Sequence, residues 1–214
     1  AQPFLMPEML TINDFFHKTL DIRPSDKVRL LLALYEAYSA VNPSPEPLDE
    51  FIFWGDVILG DFDDVDKYLV NPRQIFTNIK DYKEIQDSLS YLSETQRRAV
   101  EALVSHFKDK SGMLVADSGK ADVKTRFLQI WNILCDLYYR YREVLASEGM
   151  ADEGMVYRSL AEKLSAETAS SVFSEKFEKD PTFVFVGLNA LNECEKAVLR
   201  SLRNAGMAEF CWDW

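Results

Sequence analysis

A chain of 214 residues with 47% apolar and 13% aromatic side chains can bury a sizeable core, which excludes a disordered or low-complexity class. Eight Gly and eight Pro are too few for a turn-rich β-sandwich or barrel, so the composition points to helices. A net charge of −11 gives a solvated acidic surface and argues against a stand-alone nucleic-acid binder, which ordinarily carries a basic stripe.

Thr11 caps a helix predicted over Ile12 to Leu20, with Asp14 at its third position favouring the positive end of the helix dipole. Pro24-Ser25 opens the next, whose apolar face carries Val28, Leu31, Leu32, Tyr35 and Tyr38. The proline-rich stretch Asn42-Pro43-Ser44-Pro45-Glu46-Pro47 ends it and forms a stiff surface link. From Leu48, apolar residues recur at Phe51, Trp54, Ile58, Phe62, Val65 and Leu69. Steps of three and four mark one helical stripe, which Gly55 and Gly60 weaken by roughly 1 kcal/mol each. Pro72 is expected to close this segment, with further helices over 73–89 and 94–108, the second capped by Ser93.

Residues 108–124 are polar and read as an exposed loop. A long helix follows from about Thr125 to Ser147, with Gly149 as its stop. Helices are expected over 153–165 and 170–178. The last segment differs in kind: a buried apolar strand Phe183-Val184-Phe185-Val186, then Asn192-x-x-Glu195 as a capping box. The helix it starts buries Cys194, Val198, Leu202 and Ala205, and Gly206 precedes a second strand over Met207 to Trp212. That order is a β-α-β unit and implies a parallel strand pair.

Cys135, Cys194 and Cys211 are odd in number, far apart and set in apolar surroundings, which suggests buried thiols in a reducing compartment. With only His17 and His106 beside them they offer no zinc-ligand set. No signal peptide is visible and no apolar run reaches the about 18 residues of a membrane span, so a cytoplasmic location without membrane partners is expected. A start at Ala1-Gln2-Pro3 and an end at Phe210-Cys211-Trp212-Asp213-Trp214 read as a piece excised from a longer protein.

The sharpest chemical pattern is Val57-Ile58-Leu59-Gly60-Asp61-Phe62-Asp63-Asp64-Val65. An apolar run followed by D-x-D presents the nucleophilic Asp and the acid/base Asp of haloacid-dehalogenase-type phosphohydrolases. Asp117 and Asp122 imitate the distal acids that hold magnesium there. The context opposes it: Asp61 should end a strand, yet the apolar period around it is helical, making Asp61 and Asp63 part of a solvated helix face. A calcium loop from Asp61 fails because Asp66 stands where Gly is needed and Pro72 where the bidentate Glu belongs. Ser118-Gly119-Lys120 fails as a phosphate loop because Leu114 replaces the first Gly and Ala121 the Ser/Thr. Arg97, Arg98, Arg140, Arg142, Arg200 and Arg203 could contact phosphates, but scattered helix-surface arginines are more often solvated or paired.

Three segments carry a resemblance. "PEMLTINDFF" (7–16) looks like the strand exit and helix start after the early motifs of superfamily-1 helicases. "RLLLALYEAY" with "WGDVILGDFDDVDKYL" is similar to the helix pair of the inserted helical subdomain in the AddB/RecB-like branch. "WNILCDLYYRYREVLASEGMADEGMVYR" followed by "FVFVGLNALNECEKAVLRSL" resembles the later helices and the return to the core sheet. The resemblance implies a parent that ends in a PD-(D/E)XK nuclease domain, binds DNA, and partners an AddA-like helicase-nuclease subunit. It also implies that Phe183–Val186 sits where active helicases place a magnesium-binding Asp-Glu pair, whereas here Gly187-Leu188-Asn189 follows.

The expected fold is α/β and predominantly helical. A helical subdomain over 21–170 is inserted in a small parallel-sheet, superfamily-1 helicase-like core formed by 1–20 and 171–214. The expected function is a non-catalytic helicase-like scaffold fragment of a DNA-end-processing helicase-nuclease, assisting DNA or partner-subunit binding. It has no catalytic residue, cofactor or metal of its own. The alternatives are a helical protein-interaction module and, behind it, the Asp61/Asp63 phosphohydrolase.

Overall fold

The computed structural model describes residues 7–77, 120–174, 176–177 and 181–211, with side chains of the long central helix described from Ile133 onward. The chain is predominantly helical, with one two-stranded parallel sheet among the described residues. In chain order the elements are α1 (Ile12–Leu20), α2 (Lys27–Val41), α3 (Leu48–Lys67), α4 (Pro72–Thr77), α5 (Lys120–Ser147), α6 (Glu153–Ala166), α7 (Ala169–Ser174), β1 (Phe183–Val186), α8 (Glu193–Asn204) and β2 (Ala208–Cys211). They divide into two compact units, one of residues 1–24 with 156–214 and one of residues 25–155.

The first unit is built on aromatic packing. Phe15 of α1 stacks on Phe173 at 5.5 Å and meets Phe183 and Phe185 edge-on at 5.2 and 5.8 Å. Phe16 stacks on Tyr157 at 4.0 Å, and the Tyr157 hydroxyl donates to Asn13. Full burial of each such ring is worth about 1.5–3 kcal/mol, so these contacts set α1 and α7 against one face of the sheet. β1 and β2 pair in parallel, Phe183 opposite Ala208 and Phe185 opposite Phe210.

The strand is buried on one face only. Val184 and Val186 point away from the phenylalanines and are 56% and 67% exposed, a correction to the fully buried strand expected from the unbroken apolar run. Four apolar residues in a row do not distinguish a strand covered on both faces from one covered on one.

Helix ends follow local chemistry. Thr11 accepts from the Asp14 amide, and Asp14 is held below the usual carboxylate range chiefly by its hydrogen bond from the Thr11 hydroxyl. Asn192 and Glu195 form a complete capping box. α8 ends in a Schellman turn, the Gly206 amide on Arg203 and the Met207 amide on Leu202, with Gly206 at φ +69°. Gly149 plays the same part after α5. Replacing Asn192 by Ala removes the acceptor for the Glu195 amide, and a loss of about 1 kcal/mol in urea denaturation is expected.

Pro72 has a different role from the one expected. α3 stops at Lys67, where Leu69 turns left-handed at φ +53° and the Val70 amide bonds back to Val65. Pro72 then opens α4 as its first residue, and Asn71 caps it by accepting from the Arg73 and Gln74 amides. α2 likewise begins one turn later than expected, capped by Asp26, and α5 begins at Lys120, inside the segment expected to be loop. The rest of that loop and most of the helices expected over 73–89 and 94–108 lie outside the described residues.

In the second unit, α2, α3, α4 and α5 share one core that includes Leu34, Tyr38, Phe51, Ile58, Phe62, Leu137 and Tyr141. The proline-rich link is tied to it. Tyr35 donates to the Glu46 carbonyl at 3.0 Å, and the Tyr38 hydroxyl donates to the Glu46 carboxylate and accepts from Asn42. Burial, then the carboxylate, raises the Tyr38 hydroxyl well above the ordinary phenol range, so it stays a donor.

Candidate functional site

Asp61 and Asp63 lie in the middle of α3, not at the end of a strand. The apolar stripe from Phe51 to Val65 is helical as its period requires, with Phe51, Ile58, Phe62 and Val65 buried. The expectation of a solvated acidic face is corrected. Asp61 is only 6% exposed and Asp66 1%, Asp63 is half-buried, and of the four aspartates Asp64 alone faces solvent. Helical geometry explains this: Asp61 stands three residues after Ile58 and Asp66 four after Phe62, on the stripe itself.

Asp66 is the centre of a buried polar network. It accepts from the Tyr138 hydroxyl at 2.5 Å on Oδ1 and from Arg142 Nη1 at 2.5 Å on Oδ2. Arg142 also donates to the Tyr138 oxygen at 3.2 Å, with its guanidinium over that ring at 5.4 Å. Tyr138 and Arg142 are one turn apart on α5, so a single helix face grips the carboxylate with a fork and a hydroxyl. Next to it, Lys67 bridges Asp63 at 2.8 Å and Glu153 at 2.7 Å. Burial opposes the Lys67 charge, but the bonds to Asp63 and Glu153 hold its ammonium above its ordinary range.

The loop between α5 and α6 completes the cluster. Asp152, 6% exposed, accepts from the Met155 amide at 2.7 Å and so caps α6. Burial, reinforced by the charges of Asp66 and Asp63, pushes its carboxyl up to about 6. The Tyr141 hydroxyl is buried beside it, raised far above the phenol range by burial and then by Asp152. Gly154 follows, flush against α3: a Cβ there would stand 2.8 Å from the Asp63 carbonyl oxygen and 2.9 Å from its Cα.

The chemistry available here is that of a clamp. Each of the two cations is engaged by carboxylates, and no group of three His, Cys, Asp or Glu among the described residues is arranged to hold a metal ion. Asp117, Asp122 and the Ser118-Gly119-Lys120 stretch fall outside the described residues or at their edge. Arg142 is paired with an acid, one of the two ordinary states expected of it, while sequence reasoning missed its partner Asp66 and the parts of Tyr138, Asp152 and Gly154. The signal within reach was Asp66 on an apolar stripe with Tyr138 and Arg142 at helical spacing.

The remaining expected groups are dispersed. Arg140 pairs with Glu143 at 3.0 Å, Arg200 and Arg203 are exposed on α8, and Arg97 and Arg98 lie outside the described residues. Of the cysteines expected to be buried, Cys194 is, Cys135 is half-buried and Cys211 is exposed on the outer sheet face. Leu199 of α8 is buried, whereas Ala205, expected to be buried, is the C-cap beyond the helix and is exposed. After β1 the chain turns at Gly187, φ +71°, into Leu188 and Asn189. No helix among the described residues is long and apolar enough to cross a membrane. No known protein family, curated protein or solved structure matches this chain.

Proposed function

We propose that this chain is a non-catalytic, helicase-like scaffold within a larger cytoplasmic DNA-end-processing helicase-nuclease of the AddB/RecB-like kind. It works by packing, helping to hold DNA or an AddA-like partner subunit. The supporting observation is the β1-α8-β2 unit: a parallel pair whose first strand runs into Gly187-Leu188, neither of which has a side chain able to hold magnesium or polarise water. The D-x-D pattern adds to it, since Asp61 and Asp63 sit within a helix whose backbone cannot present a nucleophile as a strand end does. A protein-interaction module is the second reading, favoured by the exposed Val28 and Leu32 on α2 and Ile52 on α3.

The expected result is no magnesium-dependent release of phosphate from ATP or from p-nitrophenyl phosphate by this chain. The longer protein is expected to bind DNA ends with an affinity that falls about 10³-fold or more between 50 and 200 mM salt. ATP turnover by the chain overturns the scaffold reading. Phosphatase activity abolished by Asp61→Asn restores the phosphohydrolase, and absent or salt-insensitive DNA binding favours the interaction module.

A further inference from the structure

The chain holds 35 acids against 24 lysines and arginines, and its outer cations are drawn to them. Lys18, Lys27, Arg29, Arg140, Lys176 and Lys196 each pair with a carboxylate. Arg200 and Arg203 differ: both are exposed, and neither guanidinium has an acid within ion-pair reach among the described residues. They stand three residues apart on α8, so they leave one face of the helix at points about 5–6 Å apart. The acids of α8 are confined to its first turn, where Glu193 holds Lys196 and Glu195 closes the capping box. The turns that follow carry positive charge alone. The helix dipole accounts for Arg203, in the last turn, but not for Arg200, which precedes it.

We propose that Arg200 and Arg203 grip successive phosphates of one nucleic-acid strand and, on the reading above that the longer protein holds DNA, form a face that does so. Each strand of a duplex presents a phosphate about every 3.4 Å along the axis, within the span of two long side chains rooted about one helical turn apart. A guanidinium meets a phosphate with two parallel hydrogen bonds, and such contacts fix position without reading sequence. Phosphate fits this face better than an acidic protein does. Protein interfaces centre on buried apolar side chains, and none of the large apolar residues of α8 is exposed.

The test is fluorescence anisotropy of a labelled DNA duplex titrated with this chain between about 50 and 200 mM salt. Each phosphate contact contributes about 0.9 to the fall of log affinity with log salt, so Arg200→Ala and Arg203→Ala should each flatten the slope by about 1. The double variant should lose about tenfold more affinity at the lower salt than at the higher. Arg140→Ala removes the same charge from an exposed site paired with Glu143, and should leave the slope unchanged. A slope unaltered by the double variant overturns the α8 contact and leaves the scaffold reading in place, as does equal flattening by Arg140→Ala. Failure of this chain to bind the duplex at the lower salt also overturns the contact, whereas the scaffold reading is decided by ATP turnover and by DNA binding of the longer protein. Binding of polyglutamate in place of duplex assigns the face to an acidic protein and overturns the phosphate contact.

Discussion

Arg142→Ala is expected to destabilise the helical unit by about 3–5 kcal/mol at pH 7, the cost of stranding a buried carboxylate. The size follows from asymmetry. Asp66 is 1% exposed, and Arg142 supplies its charge partner at 2.5 Å. Without it, the Tyr138 hydroxyl still donates to Oδ1, but a neutral donor cannot make up for the guanidinium lost from Oδ2 of a buried carboxylate. The surface pairs Arg140–Glu143 and Lys27–Asp56, both largely exposed, should cost no more than about 1 kcal/mol each when broken. Urea denaturation followed by circular dichroism checks the difference, with the midpoint moving and the slope unchanged. Acidification should shrink the deficit, because the stranded carboxylate escapes its penalty by taking up a proton. The double variant Asp66→Asn with Arg142→Met should recover most of the loss, since it removes both charges and keeps the volume. A loss below about 1 kcal/mol for Arg142→Ala would mean that Asp66 is solvated and the network is only a surface decoration.

How much of this could be read in the sequence depended on distance along the chain. Thr11, Asn192 with Glu195, Gly149 and the β-α-β order are written within a few residues of where they act, and the structure has each where the local pattern placed it. Pro72 was ambiguous for a local reason: proline ends a helix that precedes it and begins one that follows, and only Asn71 at its side, a ready cap, tips the choice. The polar network could not be assembled in this way. Asp66 and Arg142 are 76 residues apart, and the acid run around Asp61 to Asp66 looked like an ordinary solvated face. Charge alone suggested exposure; position on the stripe demanded burial, and burial won because α5 brings a guanidinium and a hydroxyl to meet it. The one-sided exposure of β1 escaped for the opposite reason. Nothing in Phe-Val-Phe-Val says which alternate pair meets the aromatic cluster of α1 and α7.

Gly154→Ala tests the closest approach in the same cluster. In most helices this substitution stabilises by up to about 1 kcal/mol, because glycine has more freedom to lose on folding. Gly154 lies in the first turn of α6 and is not among the residues of positive φ, so backbone conformation raises no objection to alanine. The obstacle is packing. The added methyl would sit 2.8 and 2.9 Å from the carbonyl oxygen and Cα of Asp63, and these are backbone atoms in the middle of a helix that cannot swing aside. Overpacking of this kind costs about 1–3 kcal/mol, and here it also pushes Gly154 and its neighbour Glu153 from Asp63 across the Lys67 bridge between Asp63 and Glu153. A net loss of about 2 kcal/mol is expected, visible as a lower melting temperature, with the opposite sign from the same change at Gly60, where nothing lies within 4 Å. Gly60→Ala is the internal reference: it reports the gain of alanine in an open helix interior, the gain in the first turn at Gly154 is no larger, and the contact with Asp63 decides the sign there. Equal stabilisation by the two substitutions would show that the Gly154 backbone does not rest on Asp63, and the clamp would fall with that contact.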